Sequence, residues 1–352
     1  MRVQGGFVRR MLCWGLAVAL LPILLLPSFS SAAASGPSSL ALTQSERESF
    51  AVTFAPVLHF NREERVFPVD AAYFLNCSDL RSLGGSAPIA AGTDLELISA
   101  EPYNLPGRGF FLDNRYGGVM DDGVMQKYEA DRAGLSDSIY AHVTTSGDTI
   151  LVQYWMFYVF NYGTFNRHEG DWEMVEYILD QTRTPVAAVY SQHEGGQRVG
   201  WSDLLMENGH PVVYVARGSH SNFPALGQGP LGPGADVVSA DGQTWTAGID
   251  CAIVVLGEPG AGNRPSGQSW LDFAGNWGEC GGTWSGMTGK NGPLGPAFRE
   301  GGQMFSSATW GVAIPTNSPA NEIVDAGAVV FLLATAISFG GIIAALVWSR
   351  RK

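Results

Sequence analysis

The chain has 352 residues, with 33 Asp and Glu against 21 Lys and Arg, and its formal net charge is −12. Six of the cations lie in the first ten and the last three residues, so the middle of the chain is more acidic than the net charge indicates. This charge excludes nucleic acid as a favoured partner and makes divalent cations the natural counter-ions.

The N-terminal end has the order of a secretory signal peptide. Arg2, Arg9 and Arg10 precede an apolar run over 11–26, and small residues follow as far as Ala34. Basic, apolar and small-residue regions in this order are typical of a cleaved signal. We therefore predict a signal peptide over 1–34, with an uncleaved anchor as the alternative. A mobile or helical lead-in is expected over 35–49.

The C-terminal end contains a long stretch without charge. Residues 326–348 are uncharged, and three cations follow at 350–352. At about 1.5 Å of helical rise per residue, this stretch is long enough to cross a hydrocarbon core of about 30 Å. Terminal cations mark the cytoplasmic side. The sequence predicts a linker over 311–325, a single transmembrane helix over 326–348 and a cytoplasmic tail over 349–352, so that the bulk of a membrane-held chain is extracytoplasmic.

Between the two ends we predict one all-β domain over 50–310, of the β-sandwich or jelly-roll type. The run over 149–160 is apolar and aromatic nearly throughout, which is typical of a central strand covered on both faces. Shorter β-branched runs follow over 186–190 and 211–216, separated by turn residues. The 45 glycines and 19 prolines of the chain indicate long loops between short strands.

The cysteines predict one disulfide. Cys13 lies within the predicted signal peptide, which leaves three cysteines in a compartment that allows disulfides. Cys251 and Cys280 flank a Gly-rich stretch and form the candidate bridge. Cys77 is then left without a partner.

The densest group of polar residues lies at the start of a predicted strand over 172–179. If Asp171 opens this strand, Asp171 and Glu173 share one face, and Trp172 points into the core on the other. Gly170 allows a sharp turn that brings His168 back beside the two carboxylates. An imidazole with two carboxylates predicts a divalent-cation site or a proton-transfer pair. A hydrated turn whose acids only solvate a loop is the alternative.

Two further histidines, His193 and His220, each follow a short strand beside glycines. Either they are loop histidines bonded to the backbone, or strand ends converge at one edge of the sheet. In the second case a single pocket binds a divalent ion of unknown identity. The predicted ligands are His168, Asp171, Glu173, His193 and His220.

Several of these segments, taken together, resemble the family named after vacuolar protein sorting-associated protein 62. The resemblance rests on F-A-P-V-L-H-F at 54–60, H-E-G-D-W-E at 168–173, P-V-V-Y-V-A-R-G-S-H at 211–220 and F-A-G-N-W-G at 273–278. They occur in consistent order along the chain. The family has no established molecular activity, so the resemblance implies a shared domain and no transport role.

The stretch over 167–173 is also similar to the G-H-R-H-D-W-E heptapeptide of the necrosis-inducing cytolysins. Those are secreted β-sandwich proteins, in which the heptapeptide contributes to a divalent-cation site used in binding membrane sphingolipid headgroups. Only His168, Asp171 and Glu173 match that site, because this chain carries an extra Glu-Gly. The similarity implies a divalent ion and a headgroup as ligands.

Three functional hypotheses follow. The leading one is a membrane-anchored β-domain that binds a divalent cation and, through it, a polar ligand such as a glycan or a lipid headgroup. The second is a metal-dependent hydrolase in which Glu169 or Glu173 acts as general base on a metal-bound water. The third is a structural surface protein without a site.

Overall fold

The computed structural model describes residues 40–313, except 93, 164–166, 193–194, 228–235, 261, 263 and 281–290. The predicted signal peptide over 1–34, transmembrane helix over 326–348 and cytoplasmic tail over 349–352 lie outside these residues. Among the helices that are described, none is both long enough and apolar enough to span a membrane.

Short helices stand between the strands of the described chain. Two of them begin at aspartates that act as N-caps, because Asp70 accepts a hydrogen bond from the Ala72 amide and Asp94 accepts one from the Glu96 amide. The α-helices are α1 (Gln44–Thr53), α2 (Ala71–Cys77), α3 (Leu95–Ser99), α4 (Gly123–Asp131) and α5 (Gln303–Ser306), and 3₁₀ turns cover Arg132–Gly134, Trp201–Asp203, Ser269–Asp272 and Pro296–Gly302.

The strands form three sheets. They are β1 (Val57–His59), β2 (Ser78–Ser82), β3 (Ala90–Ala91), β4 (Phe110–Asn114), β5 (Ser138–Ser146), β6 (Thr149–Asn161), β7 (His168–Leu179), β8 (Pro185–Gln192), β9 (Gly195–Gly200), β10 (Met206–Glu207), β11 (His210–Val215), β12 (Asn222–Phe223), β13 (Thr244–Thr246), β14 (Ala252–Val255), β15 (Asn276–Trp277) and β16 (Val312–Ala313). One sheet has the order β14-β5-β6-β7-β8-β9-β16, a second β10-β11-β1-β13 with β12 beside β11, and a third β15-β4-β2-β3.

This architecture corrects the predicted fold class of an all-β sandwich or jelly roll with a C-terminal transmembrane helix. Short helices occur among the strands in the described residues, the sheets mix parallel with antiparallel pairs, and no described helix spans a membrane. The sequence pattern does not reveal helices α2 to α5, because each has at most nine residues, too few to show a clear amphipathic period.

The prediction of a central strand over 149–160 is confirmed. β6 is an interior strand of the seven-stranded sheet and pairs antiparallel with β5 and with β7. Its side chains are buried on both faces, because both faces of the sheet are covered. β6 and β7 therefore form a rigid base for the residues at the start of β7.

Trp172 occupies the core face of β7, as predicted. Its ring lies 4.8 Å from that of Phe157 and 5.3 Å from those of Trp270 and Trp277, measured between centroids. Large aromatic rings contribute most of the apolar area that such a core removes from water. The alternation of the strand then directs Asp171 away from this aromatic core.

The chain from Pro296 onward lies across the same face of the seven-stranded sheet. The guanidinium of Arg299 donates to the Trp172 carbonyl at 2.6 Å, and the side-chain amide of Gln153 donates to the Met304 carbonyl at 2.8 Å. At the edge of the sheet, β16 pairs in parallel with β9. This segment thereby completes the cover of the core.

The predicted disulfide between Cys251 and Cys280 is not formed. The three cysteines in the described residues, including Cys77, are free thiols. Cys251 interacts electrostatically with Asp137 and Asp250, whereas the charged neighbours of Cys280 are Glu279 and Glu169. The two thiols therefore lie in different surroundings, and the Gly-rich stretch between them is not closed by a bond.

Candidate functional site

Gly170 shapes the start of β7. Side chains three residues apart in a regular strand point to opposite faces. Gly170 has φ +56°, in the left-handed region, and this changes the direction of the strand. His168 Nε2 consequently lies 3.3 Å from Asp171 Oδ1. The structure thus brings His168 beside Asp171, as the sequence predicts.

Asp171 is the centre of the polar cluster. Its Oδ2 accepts hydrogen bonds from the His220 ring at 2.9 Å and from the side-chain amide of Asn161 at 3.1 Å. Burial by itself would raise the pKa of Asp171, but the bonds and positive charge from His168 and His220 outweigh burial and hold this pKa well below its usual range. Asp171 is therefore ionised at neutral pH.

His220 lies between two carboxylates in the interior. Nδ1 contacts Asp171, and Nε2 lies 3.6 Å from Glu64 Oε1, which is an ion-pair distance. Burial alone would lower the pKa of His220, but Asp171 and Glu64 more than offset burial and raise it to about 9. The imidazolium ring stacks on Tyr158 with centroids 3.8 Å apart and planes 2° from parallel.

Glu64 is a member of this cluster that sequence reasoning missed. Its Oε1 accepts from the Val66 amide at 2.9 Å and from the Tyr162 hydroxyl at 2.8 Å, and its Oε2 accepts from the Gly218 amide at 2.9 Å. Burial opposes ionisation, but His220 and these amides keep the pKa of Glu64 below its usual value. The only signal in the sequence was its position shortly after the F-A-P-V-L-H-F segment.

Glu173 is buried and contacts the neighbouring strand β8. The hydroxyl of Ser191 donates a hydrogen bond to its carboxylate. The same Ser191 oxygen accepts from the Met174 amide at 2.8 Å. Glu173 is thus part of the connection between β7 and β8.

Glu169, the other candidate general base, has different partners. Its Oε2 accepts from the backbone amides of Asn114 at 3.0 Å and Glu279 at 3.1 Å. Burial raises its pKa to about 8, and the nearby carboxylate of Asp113 adds to this effect. Glu169 Oε1 has no hydrogen-bond partner among the described residues. Glu169 is thus anchored to the end of β4 and to the segment that follows β15, whereas His168 lies beside Asp171.

The predicted metal ligands are brought together only in part. His168, Asp171 and His220 lie in one cluster, Glu173 is bonded to Ser191, and His193 lies outside the described residues. Within the described part of the chain, no group of three or more His, Cys, Asp or Glu side chains is arranged to hold a metal ion. The predicted set of five ligands around one ion is therefore not found in these residues.

Comparison with known sequences gives a match over most of this domain. The profile of the family described as vacuolar protein sorting-associated protein 62 matches residues 41–280. The chain is similar to vacuolar protein sorting-associated protein 62 of Saccharomyces cerevisiae, with 24% identity over 309 residues that cover 70% of this chain and 65% of that protein. The chain therefore spans slightly less than two thirds of that relative's length.

Solved structures give a more distant likeness. NLPPya in complex with glucosamine has a TM-score of 0.32 and 14% identity, covering 59% of this chain and 73% of that chain. Necrosis and Ethylene inducing Protein 2, from the causal agent of cocoa's Witches Broom disease, has a TM-score of 0.29 and 14% identity, covering 62% of this chain and 76% of that chain.

Proposed function

The chain belongs to the vacuolar protein sorting-associated protein 62 family, and we propose that its β-rich domain is a binding module for a divalent cation. The cation is held by His168 and Asp171. Through the cation the domain binds a polar ligand, such as a glycan or a lipid headgroup.

The separation of His168 Nε2 and Asp171 Oδ1 is the observation that carries this proposal. At 3.3 Å it is longer than the roughly 2.7–2.9 Å of a charge-assisted hydrogen bond. Two adjacent ligands at about 2.1–2.4 Å from one ion are about 3.0–3.4 Å apart when they subtend a right angle. The spacing of the two atoms therefore suits two neighbouring positions around an ion better than a direct bond.

The ionisation of Asp171 supports the same reading. A carboxylate must be deprotonated to bind a cation, and the hydrogen bonds that Asp171 Oδ2 accepts from the His220 ring and from the Asn161 side-chain amide favour its ionised form. Two protein ligands leave the other positions of the ion to water and to ligand oxygens, as hard cations commonly allow. Because the chain has a net charge of −12, an anionic headgroup would be repelled unless a cation mediates its binding.

The proposal is tested by the melting temperature of the full chain in Mn²⁺, Ca²⁺, Mg²⁺ and Zn²⁺, and in a chelator. An ion that binds only the folded state raises its stability by mass action. We expect at least one ion to raise the melting temperature of the wild type but not that of Asp171→Asn, which is nearly isosteric. Asp148→Asn removes a charge from an exposed hairpin turn and should behave as the wild type. Identical curves for the wild type and Asp171→Asn in every ion would refute the cation site.

A further inference from the structure

We propose that Glu64 and His220 are positioning residues of this site, which hold one oxygen of Asp171 so that the other is directed at His168. The inference rests on the proposed cation site. It extends that site to two side chains that do not touch the ion.

The two carboxylate oxygens of Asp171 contact different residues. Oδ2 accepts from His220 Nδ1 at 2.9 Å and from Asn161 Nδ2 at 3.1 Å. Oδ1 is the oxygen that lies beside His168. Two donors on one oxygen fix the rotation of the carboxylate about its last bond. Oδ1 is thereby kept in the place where it can act as a ligand.

His220 is itself held in a single orientation. The residue is fully buried, and its ring is parallel to that of Tyr158. Its backbone has φ +58°, in the left-handed region. For a residue with a β-carbon, such a conformation is unfavourable and persists only where the surroundings enforce it. The fold therefore keeps a strained residue at the position from which Nδ1 reaches Asp171.

Glu64 fixes the far side of the His220 ring. Its carboxylate is anchored by the backbone amides of Arg65, Val66 and Gly218 and by the Tyr162 hydroxyl. Because the carboxylate is anchored in this way, its attraction for Nε2 holds the ring against rotation. The result is a chain of contacts from Glu64 through His220 to Asp171. In metal sites, loss of such outer partners weakens ion binding by about 10- to 100-fold.

Two substitutions of His220 distinguish the effect of losing the hydrogen-bond donor from the effect of losing the imidazole ring. His220→Ala removes one of the two donors to Asp171 Oδ2 and leaves Asn161 in place. His220→Asn retains both donors, because the amide nitrogen of Asn is as many bonds from the backbone as Nδ1 of His. Asn also tolerates the left-handed conformation better than most residues.

His142 provides a matched control. It too is buried, with Nδ1 3.0 Å from the Gln153 side chain and Nε2 3.2 Å from the Glu258 carboxylate. Its ring also stacks on an aromatic ring, that of Phe305, at 3.7 Å. His142→Ala therefore disturbs a similar environment that has no contact with Asp171.

The measurement is the affinity of the full chain for Mn²⁺ by titration calorimetry, with folding checked by circular dichroism. We expect His220→Ala to bind about 10- to 100-fold more weakly than the wild type, His220→Asn to recover most of this loss, and His142→Ala to bind as the wild type does. If His220→Ala does not fold, Glu64→Gln serves in its place and should also weaken binding.

The outcomes distinguish the two proposals. If the wild type binds Mn²⁺ and His220→Ala or its replacement Glu64→Gln binds equally well, the positioning role is wrong and the cation site stands. Equal losses in His220→Ala and His142→Ala would also overturn the positioning role, because the loss would then reflect general destabilisation. If the wild type shows no binding of Mn²⁺ or the other ions, the cation site is wrong, and the positioning role is overturned with it.

Discussion

A β-carbon on Gly170 would lie 2.2 Å from the carbonyl oxygen of Trp277. The start of β7 and strand β15 thus touch backbone to backbone. The contact is reciprocal, since a β-carbon on Gly278 would lie 2.2 Å from the carbonyl oxygen of Glu169. Trp277 packs against Trp172 in the core. The turn that brings His168 to Asp171 is therefore braced directly by the aromatic core.

We expect Gly170→Ala to lower the free energy of unfolding by about 2–5 kcal/mol, because it adds left-handed strain to a backbone clash. The measurement is urea unfolding followed by circular dichroism. Gly147→Ala is the control, because Gly147 has φ +60° but no atom within 4 Å of its β-carbon position. The free energy of unfolding of Gly147→Ala should fall only by the cost of the left-handed backbone conformation, about 1–2 kcal/mol. Equal losses in both variants would show that the contact with Trp277 does not constrain residue 170.

Ser191→Ala is expected to reduce the free energy of unfolding by about 1–3 kcal/mol, since it leaves the buried Glu173 carboxylate and the Met174 amide without the Ser191 hydroxyl. Chemical unfolding monitored by Trp fluorescence measures the loss. The exposed Ser202→Ala should change the stability by less than about 0.5 kcal/mol. If the two variants are equally stable, Ser191 does not link β7 to β8.

The pH dependence of stability should change in Glu176→Gln. Burial raises the pKa of Glu176 to about 8 in the folded chain, against a usual value of 4.5. Between these values the unfolded chain releases a proton that the folded chain retains, so the wild type loses up to about 1.4 kcal/mol per pH unit as the pH rises. The variant lacks this loss. Its stability relative to the wild type should therefore increase from pH 5 to pH 8, as measured by urea unfolding at each pH.

Asp180→Asn is the control of opposite sign for this pH series. Hydrogen bonds from Thr182 and Thr184 lower the pKa of Asp180, so its carboxylate stabilises the fold above the usual pKa and the effect is lost as the pH falls. Asp180→Asn should be less stable than the wild type at neutral pH, and the difference should disappear in acid. A difference between Glu176→Gln and the wild type that does not vary with pH would contradict the assigned pKa of Glu176.

The free thiols predict a slow reaction with iodoacetamide at pH 8. Burial raises the pKa of Cys251 and of Cys280 to about 12, so little of the reactive thiolate is present. After unfolding without a reductant, Cys77, Cys251 and Cys280 should all be alkylated, as measured by peptide mass spectrometry. Detection of a peptide that links Cys251 to Cys280 before reduction would overturn this assignment.

The parts of the site that could be predicted from the sequence depend on neighbouring residues. The apolar run of β6 indicates a strand buried on both faces, and the period of two separates Asp171 from Trp172. One glycine accounts for the approach of His168 to Asp171. Asp70 and Asp94 are the sequence signals for the starts of α2 and α3, because each caps the first turn of its helix.

The approach of Glu64 to His220 could not be predicted in this way. Strands β1 and β11 pair in parallel, with Val57 opposite Val212, so the segments that follow them leave the sheet at the same end. Glu64 follows β1 and His220 follows β11. Pairing between strands so distant in sequence leaves no local pattern. The approach of Glu64 to His220 is therefore visible only in the assembled sheet. The same holds for the separation of Cys251 from Cys280.

The parallel pairing of β16 with β9 hinders edge-to-edge association between copies of this chain. An open strand edge offers unpaired amides and carbonyls to the edge of another chain, and this is a common route to aggregation. Here Val312 and Ala313 lie opposite Gln197 and Arg198, and the ring of Trp310 packs against Gly196 beside them. The backbone of Val312 and Ala313 and the indole of Trp310 thus cover part of the edge of β9. A chain that ends before Trp310 would keep its core residues but would expose the unpaired edge of β9. Such a chain would aggregate more readily as its concentration rises.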